Sequence, residues 1–481
     1  MPPALSAVQT VPNAAIHGTM GNYRGQEPPE DGFFFRMDVS FLNDGEYETS
    51  TAENPFGSFR WDLYEGGMGY KTGPFSIRGG RFRHYDALDS PYSLFINSTG
   101  RDAMQYQIEY DAGYFSALSR AVELNRNSEY GFPDRGMVYK TFALHLGNWD
   151  FGYQDSVVTV APTEFSGTPE DGYLPPGGDG TGPYFVPEFF LSPVPSFVLQ
   201  HVLGAGVRPW LMGFNYGTIM GFYTRYHADD WEFQAQWLVD DFNLNRFANP
   251  DGPQNPDKIA WMLGGRLETS VGRFGFWHAG ALRYTFQPFG TKSSDDEALN
   301  TMYSYTYFPD VYYPSGSTSN WIPNRKNYLG LYLGENSAGF RVDWDNDYVL
   351  PNSLFWGLQA DLELNASAEF TLTGSQSPVN PWGEYIQWTD HSSEGARWLD
   401  DPVLEKGLLF HVGGELETSR GRYGVLQLSA EIGFGVLFNV LQLESPRFGD
   451  DVGGNDACIW YPSNENQGYF QLGFEVRHFY F

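Results

Sequence analysis

The stretch WEFQAQWLVDD, Trp231 to Asp241, alternates without a break. Trp231, Phe233, Ala235, Trp237 and Val239 are apolar, with Glu232, Gln234, Gln236 and Asp240 between them. Successive side chains of a strand point to opposite faces, so this segment has one oily face and one wet face. The same period runs through Phe33, Phe35, Met37, Val39 and Phe41, and through Met104, Tyr106, Ile108 and Tyr110. It returns in Leu354, Trp356, Leu358, Leu362 and Leu364.

A soluble sandwich would also alternate, with its apolar faces packed inward. Two features favour a barrel in a membrane. Many segments run well past the five or six residues (about) usual for soluble strands. The wet face also carries both charge signs in rows, as in Arg341, Asp343, Asp345 and Asp347. A polar-lined barrel with a lipid-facing exterior needs both.

The connections give orientation. Short ones include HADDW (His227 to Trp231), ETSVGRF (Glu268 to Phe274), GENSAG (Gly334 to Gly339) and ETSRGRY (Glu417 to Tyr423). Between them fall long stretches rich in Gly, Pro, Asn, Asp and Ser, at 163–209, 243–256, 289–324, 374–403 and 442–466. Short periplasmic turns and long extracellular loops are the pattern of outer-membrane barrels. Counting segments gives about 17 strands, and the usual even number raises the expectation to about 18. The predicted fold is therefore all-β: a transmembrane antiparallel β-barrel over 32–481, with 1–31 as an N-terminal extension.

Composition agrees. The chain has 481 residues, 17% of them aromatic, and a formal net charge of −30. Its mean hydropathy is −0.40. No run of about 18 apolar residues is present, so no helix is long and apolar enough to span a bilayer. Strands need only every second residue apolar, so that does not bear on a barrel. The acidic balance speaks against a nucleic-acid partner, which requires a basic face. One cysteine, Cys458, excludes an intrachain disulfide, and no metal-ligand spacing is found. The start, MPPALSAVQT, has neither the basic nor the apolar region of a signal peptide. Export to the outer membrane is thus expected to use a leader that this sequence does not include.

One phrase occurs twice: GGRLETSVGRFG at Gly264–Gly275 and GGELETSRGRYG at Gly413–Gly424. Arg266 becomes Glu415 between the copies, which a duplicated binding site would not allow. Thr-Ser-x-Gly-Arg reads as a tight hairpin turn, with Gly272 or Gly421 free to take positive φ. The chain ends QLGFEVRHFYF, where Leu472, Phe474 and Val476 form the apolar face. A bulge near Arg477 or His478 would bring Phe479 and Phe481 onto that face.

Four stretches resemble the Wzi-type capsule-assembly family of outer-membrane barrels. They are IRGGRFRHYDALDSPYSLFINSTG (Ile77–Gly100), LHLGNWDFGYQDSVVTVAP (Leu144–Pro162), EFFLSPVPSFVLQHVLG (Glu188–Gly204) and the run from Trp231 to Glu268. Their order and spacing match, over roughly half of the chain. The helical bundle with which better-known members begin has no counterpart in 1–31, which is too short and too rich in Pro and Gly. The resemblance implies an 18-stranded barrel that binds surface polysaccharide and helps organise or retain a capsule, without enzymatic activity or cofactor. Outer-membrane lipid, the polysaccharide and the barrel-assembly machinery are the implied partners, and a monomer is expected.

Saccharide binding needs aromatic faces for the ring and planar polar groups for the hydroxyls. The presumed extracellular loops supply Tyr305, Tyr307, Tyr312, Tyr313, Trp321, Trp382, Tyr385 and Trp388. Such aromatics also form the interfacial girdles of any barrel. Arg81 and Arg83 could grip an acidic polysaccharide, or pair with Asp86 and Asp89. Inward charges include Arg36, Asp38, Glu109, Asp111, Asp240, Arg266, Glu268, Asp361 and Glu363. They suit either a hydrogen-bonded polar filling or a porin-like conduit for small polar or cationic solutes. The Pro-rich 163–209 segment is long enough to fold in or over the mouth. No Ser/His/Asp set can be assigned for hydrolysis, and His278 reads as a girdle residue. Acidic loop pieces at Asp295–Glu297 and Asp450–Asp451 lack the spacing of a known calcium loop.

Overall fold

The structure, a computed structural model, describes residues 7–21, 31–43, 59–88, 90–97, 102–126, 134–160, 186–203, 217–242, 247, 256–287, 304–307, 328–350, 360–376, 397–418, 425–443 and 460–480. In chain order the strands are β1 (Ala7–Gly21), β2 (Gly32–Asn43), β3 (Arg60–Thr72), β4 (Phe75–Arg83), β5 (Asp102–Asp111), β6 (Phe115–Asn125), β7 (Arg135–Leu146) and β8 (Trp149–Val160). Two helices follow, α1 (Pro187–Leu191) and α2 (Ser196–Leu203). Then come β9 (Gly217–His227), β10 (Trp231–Asp241), β11 (Lys258–Thr269), β12 (Gly272–Ala281), β13 (Ser337–Leu350), β14 (Ala360–Thr373), β15 (Glu405–Thr418) and β16 (Val425–Phe438). A small ribbon, β17 (Leu441–Leu443) with β18 (Trp460–Pro462), precedes the last wall strand, β19 (Asn466–Tyr480).

Among the described residues, seventeen strands close one sheet. Each pairs antiparallel with its neighbours except at the seam, where β1 runs parallel to β19 from Ala7↔Gln467 to Met20↔Tyr480. An odd number of alternating strands can close only through one parallel pair. The count is one below the 18 that the even rule suggested, because β1 serves as the single closing strand. Residues 7–21 lie within the stretch expected as an N-terminal extension, and they pair with both β2 and β19.

The tightest connections between wall strands, 73–74, 112–114, 147–148, 228–230 and 270–271, all follow odd-numbered strands. The longest, 84–101, 161–216, 282–336 and 374–404, all follow even-numbered ones. The barrel thus has a short-turn end and a long-loop end. The first copy of the repeated phrase is such a short turn. Gly272 sits at φ 120°, and Thr269 Oγ1 donates to its carbonyl at 2.6 Å. The turn of the second copy lies outside the described residues. GENSAG corrects the sequence reading. It is not a hairpin turn but the end of the 282–336 connection running into β13.

Apolar parity holds around the wall. Phe33, Met68, Tyr106, Phe222, Trp237, Leu263, Phe276, Phe340, Phe434 and Phe474 are exposed outward. In water such a belt would be unstable; in a bilayer it is the lipid face. Trp149, Tyr226 and Trp231 cluster at the short-turn end, with centroids 4.7 and 4.8 Å apart, as an interfacial girdle would. One bulge preserves the pattern. Asp38 opposes Glu65 and Val39 opposes Leu63, so Tyr64 is the extra residue that keeps Leu63 and Met68 both outward. The bulge expected near Arg477 is absent. The β16–β19 register runs unbroken to Val425↔Phe479, and Phe479 is buried on the lumen side. His278 does face outward, its ring 4.4 Å from that of Phe340, and it accepts a hydrogen bond from Trp261 Nε1.

Candidate functional site

Among the described residues, the largest buried apolar cluster lies inside the barrel, in its long-loop half. Two connections fold inward to build it. The first, after β4, brings Leu88, Tyr92, Leu94, Phe95 and Ile96 into the lumen. The second, between β12 and β13, brings Phe286, Tyr305, Tyr307, Tyr328, Leu329, Leu331 and Leu333. They pack against inward residues of the wall, among them Val122, Tyr139, Val158, Leu238 and Met262.

Backbone groups carried into a closed lumen must find partners. The inserted segments pair with each other: Asn97 N–H to Leu329 O at 2.5 Å, Leu329 N–H to Tyr305 O at 3.1 Å, and Tyr305 N–H to Phe286 O at 3.2 Å. The wall supplies the rest. Gln236 of β10 accepts from Leu94 N–H at 2.9 Å and donates to Asp86 at 2.8 Å. Arg135 of β7 donates to Ser304 O at 2.7 Å. Arg120 of β6 donates to Tyr85 O and stacks over the Tyr85 ring, with Cζ 5.0 Å from its centroid. Glu369 of β14 receives the hydroxyls of both Tyr92 and Tyr332. His84 is held neutral: burial, with Arg120 and Arg83 adding to it, pushes its imidazole down to about 3. Its Nε2 can then accept the Tyr307 hydroxyl at 2.7 Å.

The plug changes the standing of two expected surface residues. Tyr305 and Tyr307 are each 3% exposed, so neither offers a ring face at the outer rim. The Tyr305 hydroxyl donates to Phe95 O at 2.6 Å, which locks one inserted segment to the other. Tyr312, Tyr313, Trp321, Trp382, Tyr385, Trp388 and Cys458 lie outside the described residues. Arg81 pairs with Asp62 at 3.8 Å, and the backbone N–H of Arg83 donates to Glu65 at 3.4 Å.

The inward charges behave as a polar lining. Arg36 pairs with Glu65 at 3.0 Å and lies 4.0 Å from Asp38. Glu109 accepts from Gln107, and Asp111 caps the turn at Gly113 N–H. Asp240 sits 3.7 Å from Lys258 and accepts from Phe286 N–H. Arg266 lies over the Trp277 ring, and Glu268 meets Arg273. Glu363 stands opposite Asp347 on one side and Glu415 on the other, while Asp361 stands opposite Glu417. This half of the lumen is therefore rich in carboxylates. A cavity of about 330 Å³ opens there, lined by Asn365, His411, Glu415, Glu431 and Glu475. Glu431 receives His411 Nε2 at 3.0 Å and Gln471 Nε2 at 2.5 Å.

The 161–216 connection also departs from expectation. Its described part neither enters nor covers the mouth; α1 and α2 lie on the outer wall. Phe189 and Phe190 pack on Ala121, Val138 and Val157, which have the outward parity of β6, β7 and β8. Ser119 Oγ donates to Phe190 O at 2.7 Å. Lys140 Nζ donates to Ser192 O and Val194 O at 2.9 and 2.7 Å, and Asp155 accepts from Ser196 N–H at 2.6 Å. The sequence held a signal for this strap: Lys140 and Asp155 are charges at outward positions of lipid-facing strands.

Wall and filling together define a transmembrane β-barrel with parts of two of its own connections packed inside the lumen. No protein-family model matches the sequence, and no curated protein does. Among solved structures the chain is similar to Wzi of Escherichia coli, an outer-membrane protein involved in group 1 capsule assembly and a carbohydrate-binding β-barrel. That likeness has 9% identity, covers 88% of this chain and 79% of that one, and has a TM-score of 0.43. It is also similar to OccK8 (OprE) of Pseudomonas aeruginosa, at 10% identity over 85% and 86% of the two chains, with a TM-score of 0.33. OmpT, an outer-membrane protein of Vibrio cholerae, is 10% identical over 94% and 92%, with a TM-score of 0.27. At these values the likeness is one of barrel architecture, which the strand pairings establish independently.

Proposed function

We propose that this barrel sits in a bacterial outer membrane with its long-loop end outward, binds surface polysaccharide there, and helps to organise or retain a capsule-like layer. The observation that carries this reading is the internal plug. A lumen filled in its outer half by apolar, mutually hydrogen-bonded segments is built for closure, so the work falls to the outer rim. The connections 282–336 and 374–404, whose flanking strands end at the long-loop end, carry in their sequence Tyr312, Tyr313, Trp321, Trp382, Tyr385 and Trp388, the residue types that stack on sugar rings. The four stretches that resemble the capsule-assembly family add to it. The natural test is retention of purified cell-surface polysaccharide on the folded barrel. Retention that falls at least ten-fold in a Trp382→Ala, Trp388→Ala double variant is the expected result. No retention, with normal surface glycan in a deletion strain, would sink the proposal.

A second reading rests on the cavity beside β14–β16 and β19. Its carboxylates would favour passage of small cations along the unplugged side of the wall. Ion-selective conductance is its signature.

A further inference from the structure

Below the plug, near the short-turn end, three side chains from three adjacent strands form a hydrogen-bonded chain. Ser116 of β6 brings its Oγ 2.9 Å from His145 Nε2 of β7. His145 Nδ1 lies 2.7 Å from Asp150 Oδ1 of β8. With the proton on Nδ1 donated to the carboxylate, Nε2 is left to accept the Ser116 hydroxyl proton. The same order, nucleophile then imidazole then carboxylate, activates serine in unrelated hydrolases, and it is recognised by geometry rather than by sequence position.

The surroundings hold the carboxylate in place. Asp150 Oδ2 receives Arg225 Nε at 3.0 Å and Nη2 at 2.9 Å, and His227 Nε2 lies 3.6 Å away. Arg225 is thus a positioning residue for Asp150. The His145 side chain keeps 30% of its surface exposed, whereas Asp150 keeps 11%. That ordering suits a base that solute can reach and an acid that it cannot. All three residues have lumen-facing parity and lie within a few residues of the short turns at 112–114 and 147–148.

We propose that Ser116, His145 and Asp150 form a serine-nucleophile site that cleaves short-chain carboxylic esters of polar alcohols, reached from the short-turn end of the lumen. Ser116 Oγ adds to the ester carbonyl carbon while its proton passes to His145 Nε2. The adduct expels the alkoxide, which takes that proton and leaves as the alcohol. Water then gives a proton to His145 and adds to the acyl carbon; Ser116 Oγ departs and recovers the proton. The net change is ester plus water to acid plus alcohol. A short acyl group is specified because the apolar lumen positions beside Ser116 are few: Ala143 opposite it on β7 and Leu118 two residues along β6. Asp111 stands opposite Ser116 in register, with Glu109 and Thr141 opposite Leu118.

The register of β6 between β5 and β7 commits its backbone N–H groups to the ladder. A backbone oxyanion hole of the usual kind is therefore not built at Ser116, and turnover is expected to be slow. The decisive readout is accordingly a covalent one. The full chain, folded in detergent and checked by its heat-modifiable migration, is treated with a small alkyl fluorophosphonate and mapped by mass spectrometry. One adduct is expected, on Ser116; it should be absent in Ser116→Ala and at least ten-fold slower to form in His145→Gln. p-Nitrophenyl acetate should give a burst approaching one equivalent per folded barrel. Wild-type protein that is folded yet unlabelled at Ser116 overturns the proposal. So does equal labelling of folded His145→Gln, which would make the chain of bonds a structural link only.

Discussion

At the scale of single residues, His84 shows how the plug is tied to pH. Its imidazole is 1% exposed and accepts the Tyr307 hydroxyl, so it must stay neutral in the closed state. A free histidine has a pKa of about 6.5, and here it is pushed down to about 3. Between those values the released segment binds a proton that the seated one excludes. Closure is therefore at full strength above about pH 6.5 and weakens by about 1.4 kcal/mol per pH unit as pH falls toward 3. From pH 7.5 to pH 5 the expected loss is about 2 kcal/mol in the protection of residues 90–97, read by amide exchange. His84→Gln should flatten that dependence. Equal protection of the wild type at both values would show that His84 is not the coupling group. None of this was legible from the sequence, where His84 was one of several charged or polar residues beside Arg81 and Arg83.

At the scale of elements, strands were the readable part. Trp231–Asp241 alternates because one face meets lipid and the other the lumen, and β10 follows that stretch residue for residue. The turn at Gly272 was readable from local sequence as well, because Gly takes its positive φ without strain. The inserted segments were not, because Leu94, Phe95 and Ile96 in a connection look the same whether they line a girdle or fill a lumen. The strap on the outer wall is a third case. Lysine facing lipid at the midplane costs about 2–4 kcal/mol, and Lys140 escapes this by donating to two carbonyls of the connection between α1 and α2. Lys140→Met removes both the cost and the bonds. Amide protection of residues 189–199 should then drop while the barrel keeps its heat-modifiable migration. Undiminished protection would mean that Phe189 and Phe190 alone hold the helices to the wall. Ser116, His145 and Asp150 illustrate the remaining limit, since only the register of three strands brings them together.

At the scale of the whole molecule, the odd strand count and the parallel seam follow from β1 joining β19, a pairing that no local pattern announces. The lumen divides into a long-loop half filled by apolar segments and a short-turn half lined with carboxylates. The chain's net charge of −30 makes the open half attractive to cations, yet the filled half stands between it and the long-loop side. Closure by the chain itself is the central claim, and conductance in a planar bilayer tests it most directly. The folded barrel at neutral pH is expected to insert without porin-sized current steps. Steps should emerge when residues 90–97 are replaced by a short Gly-Ser link. Stable, large, cation-selective steps from the intact protein would contradict the account and make the barrel a channel.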